Sequence, residues 1–228
     1  MSRSKPSLPL IAEVNPKSPI SEAYKVLRTN VDFANFDADI HTVMVTSSRM
    51  SEGKSTTTAN LAVTYAQTGK RVLLIDADMR KPTQHKLFGL SNRYGLTSAL
   101  SNNSELREVV LDTGIDQLSL LPSGPVPPHP SEMLASQRME TLLERARESY
   151  EMVLIDTPPM MAVTDAQILA AKCDGVILVI DAGKVKKEMA RKVKTKLQHA
   201  HARMLGVVLN NVSRSGADSY AYYTYYGQ

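Results

Sequence analysis

At 228 residues, the chain is long enough for one sizeable core or at most two small ones. With 43% apolar and 22% charged residues it has the balance of a soluble globular protein, and no run of about 18 apolar residues is present to cross a membrane. The single cysteine, Cys173, excludes an internal disulfide and a cysteine-based metal cluster, while the net charge of +4 permits an acidic partner and gives no reason to expect nucleic acid.

Residues 1–19 carry Pro6, Pro9, Pro16 and Pro19 and read as a loose arm, with no signal peptide expected in the polar Met1 to Leu10. A helix is predicted to start after Pro19, with Ile20, Ala23, Tyr24, Leu27, Val31 and Ala34 as its apolar stripe. Glu22, Lys25 and Arg28 fall away from that stripe and line up at i,i+3 spacing, as a solvated face or a self-association surface. Short apolar runs follow at 42–46, 71–75, 117–121, 152–155, 176–180 and 205–209, as expected of strands buried on both faces. Helical patterns at 54–68, 131–149, 164–171 and 185–201 separate most of them. This alternation predicts an α/β fold, with a mostly parallel central sheet covered by helices on both faces.

Residues 82–113 read as short helical pieces punctuated by Gly89, Gly95 and Asn102-Asn103, and Pro122 to Pro130 as a stiff loop. The five histidines are scattered, and His199 and His201 splay apart on a helix, so no histidine metal site is expected. The helix at 185–201 turns Val185, Met189, Val193, Leu197 and Ala200 inward and Lys184, Lys187, Arg191 and Lys194 outward, a solvated face or one that meets an acidic surface. The organisation expected is an arm (1–19), one domain (20–212) and a flexible tail (213–228). That tail holds Tyr220, Tyr222, Tyr223, Tyr225 and Tyr226, five of the chain's nine tyrosines, with almost no aliphatic residue to pack against them. It reads as a sticky terminus or, in a nucleotide-binding protein, as a row of phosphoryl acceptors.

The stretch Ser47-Ser48-Arg49-Met50-Ser51-Glu52-Gly53-Lys54-Ser55-Thr56 lies between an apolar run and a helical pattern, the layout of a phosphate-binding loop. The chemistry accounts for the residue types. Backbone N–H groups of residues such as Ser51, Glu52, Gly53 and Thr56 cradle phosphate oxygens, Lys54 reaches the β- and γ-phosphates, and Ser55 ligates Mg²⁺. The first position of the usual pattern is glycine, and here it is Ser48. Two further runs, Leu73-Leu74-Ile75-Asp76-Ala77-Asp78 and Val153-Leu154-Ile155-Asp156-Thr157-Pro158-Pro159, place carboxylates at the carboxyl ends of buried strands, where ligands of open α/β sheets sit. Buried carboxylates without compensation are costly, and a nucleotide-bound Mg²⁺ supplies the compensation. Asp156 and Asp78 are then metal-side groups, and Asp76 is the candidate general base.

These motifs, together with Ser21-Glu22-Ala-Tyr-Lys25-Val-Leu-Arg28, Asp76-Ala-Asp78-Met-Arg80-Lys81-Pro82, Ser123-Gly124-Pro125-Val-Pro127-Pro128-His-Pro130, Asp165-Ala-Gln167 and the tyrosine tail, resemble the cytoplasmic catalytic domain of bacterial tyrosine kinases of the Gram-positive type. The loop and the strand-end aspartates alone are shared with partition and septum-site ATPases, so an ATPase switch and a nucleotide-binding scaffold without turnover are the alternatives. The resemblance implies a P-loop NTPase-like fold and autophosphorylation of the tail tyrosines, in trans, with ATP and Mg²⁺. It implies that Glu22, Lys25 and Arg28 build a ring-like homo-oligomer, that Asn210 contacts adenine, and that a separate transmembrane adaptor activates the kinase at the inner face of the membrane. It further implies protein substrates in capsule or exopolysaccharide synthesis and export, and a tyrosine phosphatase that reverses the mark. Where the family loop reads Pro-Gly this chain has Met50-Ser51, which predicts an altered loop shape; lysine at 25 in place of arginine predicts a weaker ring.

Overall fold

A computed structural model describes residues 9–34, 40–102 and 104–212. The chain opens with α1 (Ile11–Val14), α2 (Pro19–Ala34), β1 (Thr42–Ser47), α3 (Lys54–Ala66), β2 (Val72–Asp76) and α4 (Gln84–Leu87). The short elements α5 (Leu96–Asn102), α6 (Leu106–Val109), β3 (Leu111–Asp112) and β4 (Leu118–Leu121) follow. Then come α7 (Pro130–Ala135), α8 (Gln137–Ser149), β5 (Met152–Asp156), α9 (Asp165–Ala170), β6 (Gly175–Asp181), α10 (Lys187–His199) and β7 (Met204–Asn210).

The strands form one seven-stranded sheet in the order β3-β4-β2-β5-β1-β6-β7. All pairings are parallel except that of the two-residue β3 with β4, an antiparallel edge that the hydrophobic pattern does not predict. The central strands are buried at every position, so alternate side chains feed two cores. Met44, Leu73, Ile75, Val153 and Ile155 join one core with residues of α5 to α10. Val43, Val45, Val72, Leu74 and Leu154 join the other with residues of α1 to α4. This is the predicted architecture of helices on both faces of a mostly parallel sheet.

Three expectations change. The loose arm is, over its described half, a docked segment: Leu10 and Ala12 are buried in the second core. The Ala12 N–H donates to Asn60 Oδ1 at 2.9 Å, and Gln67 Nε2 donates to the Ala12 carbonyl at 2.8 Å. Prolines read as looseness, yet backbone polar groups of this segment are satisfied by side chains of α3 and of the residue that follows it. The apolar stripe of α2 is as predicted over Leu27, Val31 and Ala34, which pack on the second core, and departs from the prediction at its start. Ser21 and Val31 face inward, and the Ser21 hydroxyl donates to the carbonyls of Ile11 and Asn15. Ile20, Ala23, Val26 and Phe33 face outward, with Phe33 71% exposed, which leaves an uncovered apolar face. The single helix expected over 131–149 divides at Ser136, whose extended backbone (ψ 156°) ends α7 and begins α8.

The tail and its five tyrosines lie outside the described residues, as do positions 1–8 of the arm. The stiff proline loop is pinned to the first turn of α5, since Leu96 N and Thr97 N donate to the carbonyls of Pro122 and Ser123 at 2.8 Å each.

Candidate active site

Strand register alone brings the acids together. Asp76 is paired with Asp156 across β2 and β5, and Val45 of β1 lies in register with Asp156 on its other side. The loop after β1 therefore emerges directly beside both carboxylates, at the carboxyl end of the sheet.

The loop is held by one buried side chain. The Glu52 carboxylate accepts from Ser48 Oγ at 2.5 Å, from Arg49 N at 2.8 Å and from Ser48 N at 3.3 Å. Ser48, where the usual pattern has glycine, is thus part of the loop's own hydrogen bonding. Gly53 adopts φ +88°, and a Cβ there would lie 2.0 Å from Asn210 Nδ2, so only glycine fits. Asn210 Nδ2 donates to the Glu52 carbonyl at 3.0 Å, which ties the end of β7 to the loop. Asn210 is consequently a clamp on the loop backbone as well as the residue expected near adenine. Ser51 carries the left-handed backbone (φ +64°) that a glycine adopts without strain. The loop turns at Ser51 through a left-handed conformation, and the price of serine there is backbone strain on the order of 1 kcal/mol. Ser51→Gly is expected to raise the melting temperature by about 2–4 °C without loss of nucleotide affinity, measured by thermal denaturation and by ADP titration.

Gly53 precedes α3 without a side-chain cap, so no serine occupies the first-turn amides, which are left for the cleft. The cleft, of ≈ 570 Å³, is lined by Met50, Lys54, Thr56, Asp78, Arg80 and Pro159 among others. Ser51 and Thr56 are exposed at its rim.

Lys54 is buried at the centre. Its Nζ lies 3.1 Å from Asp78 Oδ2, 3.4 Å from Asp156 Oδ1 and 3.0 Å from Ser55 Oγ. Burial acts to lower its pKa, but Asp156 and Asp78 more than offset this and hold the ammonium above its ordinary value. Asp76 is fully buried; Oδ2 accepts from Thr83 N and Gln84 N at 2.9 Å each, and Oδ1 from Asp78 N at 3.2 Å. Burial first, and then the Asp156 carboxylate, push its carboxyl up to about 8. Gln84, absent from the residues singled out in the sequence, bridges the two sides: Nε2 donates to Asp156 Oδ2 at 2.8 Å and to the Ser55 carbonyl at 3.1 Å. Arg80 and the fully buried Asp165, motif residues whose pairing the sequence does not show, meet bidentately at 2.9 and 3.0 Å and fix the rim of the cleft to α9.

The donor set fits Mg²⁺. Asp76, Asp78 and Asp156 face one compensating ammonium, and the remaining charge is negative. All donors, Ser55 Oγ included, are hard oxygens. Among the described residues no cluster of His, Cys, Asp or Glu forms a self-sufficient metal cage.

On α2 the oligomerisation candidates also make contacts within one copy. Lys25 Nζ and Glu22 Oε1 pair within the helix at 2.6 Å, and Arg28 Nη1 donates to the Thr64 carbonyl of α3 at 2.7 Å.

Comparison with known proteins is consistent with this geometry. Residues 40–204 match the model of a family described as AAA domain, the ATP-binding fold to which the loop and strand-end acids belong. The chain is 48% identical over 214 residues to the tyrosine-protein kinase YwqD of Bacillus subtilis, across 94% of this chain and 90% of that protein. The crystal structure of the chimerical protein CapA2B2 superposes with a TM-score of 0.87 at 42% identity, over 90% of each chain. The kinase domain of the Escherichia coli tyrosine kinase ETK superposes with a TM-score of 0.89 at 34% identity, over 95% of this chain and 85% of that one. With a phosphate loop, a buried lysine and three converging strand-end aspartates on this fold, the chain belongs to the bacterial tyrosine-protein kinases.

Proposed function

We propose that this chain is an autokinase that transfers the γ-phosphoryl group of ATP to tyrosines of its own tail, one copy acting on the next. The observation that carries the reading is the Lys54 ammonium lodged between Asp78 and Asp156 at the mouth of the phosphate loop. In the reaction a phenolic oxygen forms a bond to the γ-phosphorus, the bond from phosphorus to the β,γ-bridging oxygen breaks, and ADP leaves. Residues 51–56 and Lys54 orient the phosphates. Mg²⁺, held by Ser55, Asp78 and Asp156, supplies charge neutralisation when bound. Asp76 accepts or orients the phenolic proton, Asn210 flanks the adenine, and the acceptors are Tyr220, Tyr222, Tyr223, Tyr225 and Tyr226.

The division into arm, catalytic domain and tyrosine tail follows from this scheme, with the arm's second half part of the domain. The uncovered face of α2 supports assembly into a ring through Glu22, Lys25 and Arg28 with Ile20, Val26 and Phe33. In that reading a transmembrane adaptor recruits and activates the kinase at the inner membrane face, a phosphatase resets it, and the outputs are proteins of capsule or exopolysaccharide synthesis.

The test is intact-mass analysis of the purified chain with ATP, Mg²⁺ and the adaptor's cytoplasmic segment. Phosphate should appear between residues 220 and 226; a mass that never rises rejects the autokinase. For the ring, Glu22→Ala and Val26→Glu are each expected to shift light-scattering mass at about 10 μM protein toward the monomer by a factor of two or more. An unchanged mass in both rejects α2 as the interface.

A further inference from the structure

We infer that the outer face of α10 with the exposed flank of β7 is a docking surface for the phosphorylated tail of this same chain. The inference rests on the tail-phosphorylation reading above, and it concerns where the product goes. Between residues 186 and 196 there are six cations and one acid, Glu188, a local charge of +5 against +4 for the whole chain. Lys187, Arg191 and Lys194 recur at i,i+4,i+7 and line one exposed face. Among the described residues none of these three has a carboxylate partner, whereas Lys25, Lys70, Arg71, Arg80, Arg147 and Lys172 are all paired.

The apolar half of the surface comes from the sheet edge. Val207 and Leu209 are in register with Leu178 and Ile180, which belong to the core that Val193 and Leu197 of α10 cover. They therefore lie on the α10 side of the sheet, yet remain 47% and 61% exposed. A cationic helix beside an apolar strip matches phosphotyrosine, a ring carrying an anion. Each phosphorylation adds about −1.5 to −2 charges.

Position argues for the tail over any other anion. The tail begins after Val212, just beyond β7, and the Asn210 carbonyl accepts from Ala182 N at 2.8 Å in the lead-in to α10. From Val212 the chain reaches Tyr220 within roughly 26 Å, and α10, with 13 residues, is about 20 Å long. The whole cationic face is therefore within reach of a tethered ligand at high effective concentration. Docking there would withdraw a phosphorylated tail from the neighbouring copy's cleft.

The experiment uses the full chain with Lys54→Met, which keeps its own tail unmodified, and a labelled synthetic peptide of residues 213–228 phosphorylated at its tyrosines. Because the peptide carries its phosphates from synthesis, failure of autophosphorylation leaves this measurement intact. Fluorescence anisotropy should show the phosphopeptide binding at least about tenfold tighter than the unphosphorylated one, and weakening as salt is raised through about 0.1–0.3 M. The triple variant Lys187→Glu, Arg191→Glu, Lys194→Glu, checked for folding by circular dichroism, should lose that preference. Equal binding of both peptides, or an undiminished preference in the triple variant, overturns the inference. So does a result in which these cations are needed for binding phosphatidylglycerol vesicles while the phosphopeptide does not bind, since the occupant is then a membrane.

Discussion

Lys54→Met is expected to lower tail phosphorylation by at least about 10³-fold, corresponding to roughly 4 kcal/mol of transition-state stabilisation. The same substitution has a second, independent signature. Lys54 compensates Asp78 and Asp156 at 3.1 and 3.4 Å in a buried setting, with fully buried Asp76 alongside. Removing one partner of such a group leaves charge buried and unpaired, typically a loss of about 3–5 kcal/mol. The carboxylates relieve part of this by taking up a proton, so a fall in stability toward the lower end is expected. Millimolar Mg²⁺ should return a portion of the lost melting temperature in the variant and change the parent less, because in the parent the ammonium already offsets part of the pair's charge. A Lys54→Met protein that melts with the parent and ignores Mg²⁺ would show that the three acids are not electrostatically coupled as their spacing requires.

The parts of this site legible in the sequence are those with a periodic or positional signal. A buried strand reads as a continuous apolar run, and an acid at its end stands out because burial without compensation is costly. Parallel pairing then does the rest: Asp76 and Asp156 meet because their strands are in register. Gly53, Lys54 and Ser55 have a spacing that survives the loss of the first glycine. What holds these groups in place has no such signal. Gln84 lies in a four-residue helix with no periodicity of its own, yet it joins Asp156 to the Ser55 carbonyl. Arg80 and Asp165 are 85 positions apart and pair only once α9 is folded over the cleft. Ser51 takes the backbone of the family's glycine, so the loop turns without the residue that would announce the turn. On α2 the first turn of the predicted stripe gives way because Ser21, a polar residue, is buried through hydrogen bonds to Ile11 and Asn15 that no hydropathy pattern contains. The proline-rich start looked loose for the complementary reason: its satisfaction comes from Asn60 and Gln67, far away in sequence.

The second large effect separates the two acids of the Asp76-Ala77-Asp78 segment. Both lie near Lys54, but they are engaged differently. Asp76 is turned into the backbone amides of Thr83, Gln84 and Asp78, whereas Asp78 lines the cleft and holds the lysine. Asp76→Asn keeps a carbonyl for Thr83 and Gln84 and sets its amide against the Asp78 N–H, a mismatch that costs about 1–3 kcal/mol. Against this, burial and Asp156 already disfavour the charged carboxylate, so a neutral amide relieves repulsion and the net change in stability is expected to stay small. The proton acceptor is nevertheless gone, and kcat should fall by about 10²–10⁴ with the KM for ATP changed less than about threefold. Asp78→Asn should show the opposite division, with the KM for ATP raised at least about tenfold as Lys54 loses its nearer partner. Steady-state kinetics on the two isosteric variants decides the assignment. If the kcat loss belongs to Asp78→Asn and the KM change to Asp76→Asn, then the acid facing the cleft is the proton acceptor, and Asp76 is a structural tie that fixes the turn into α4.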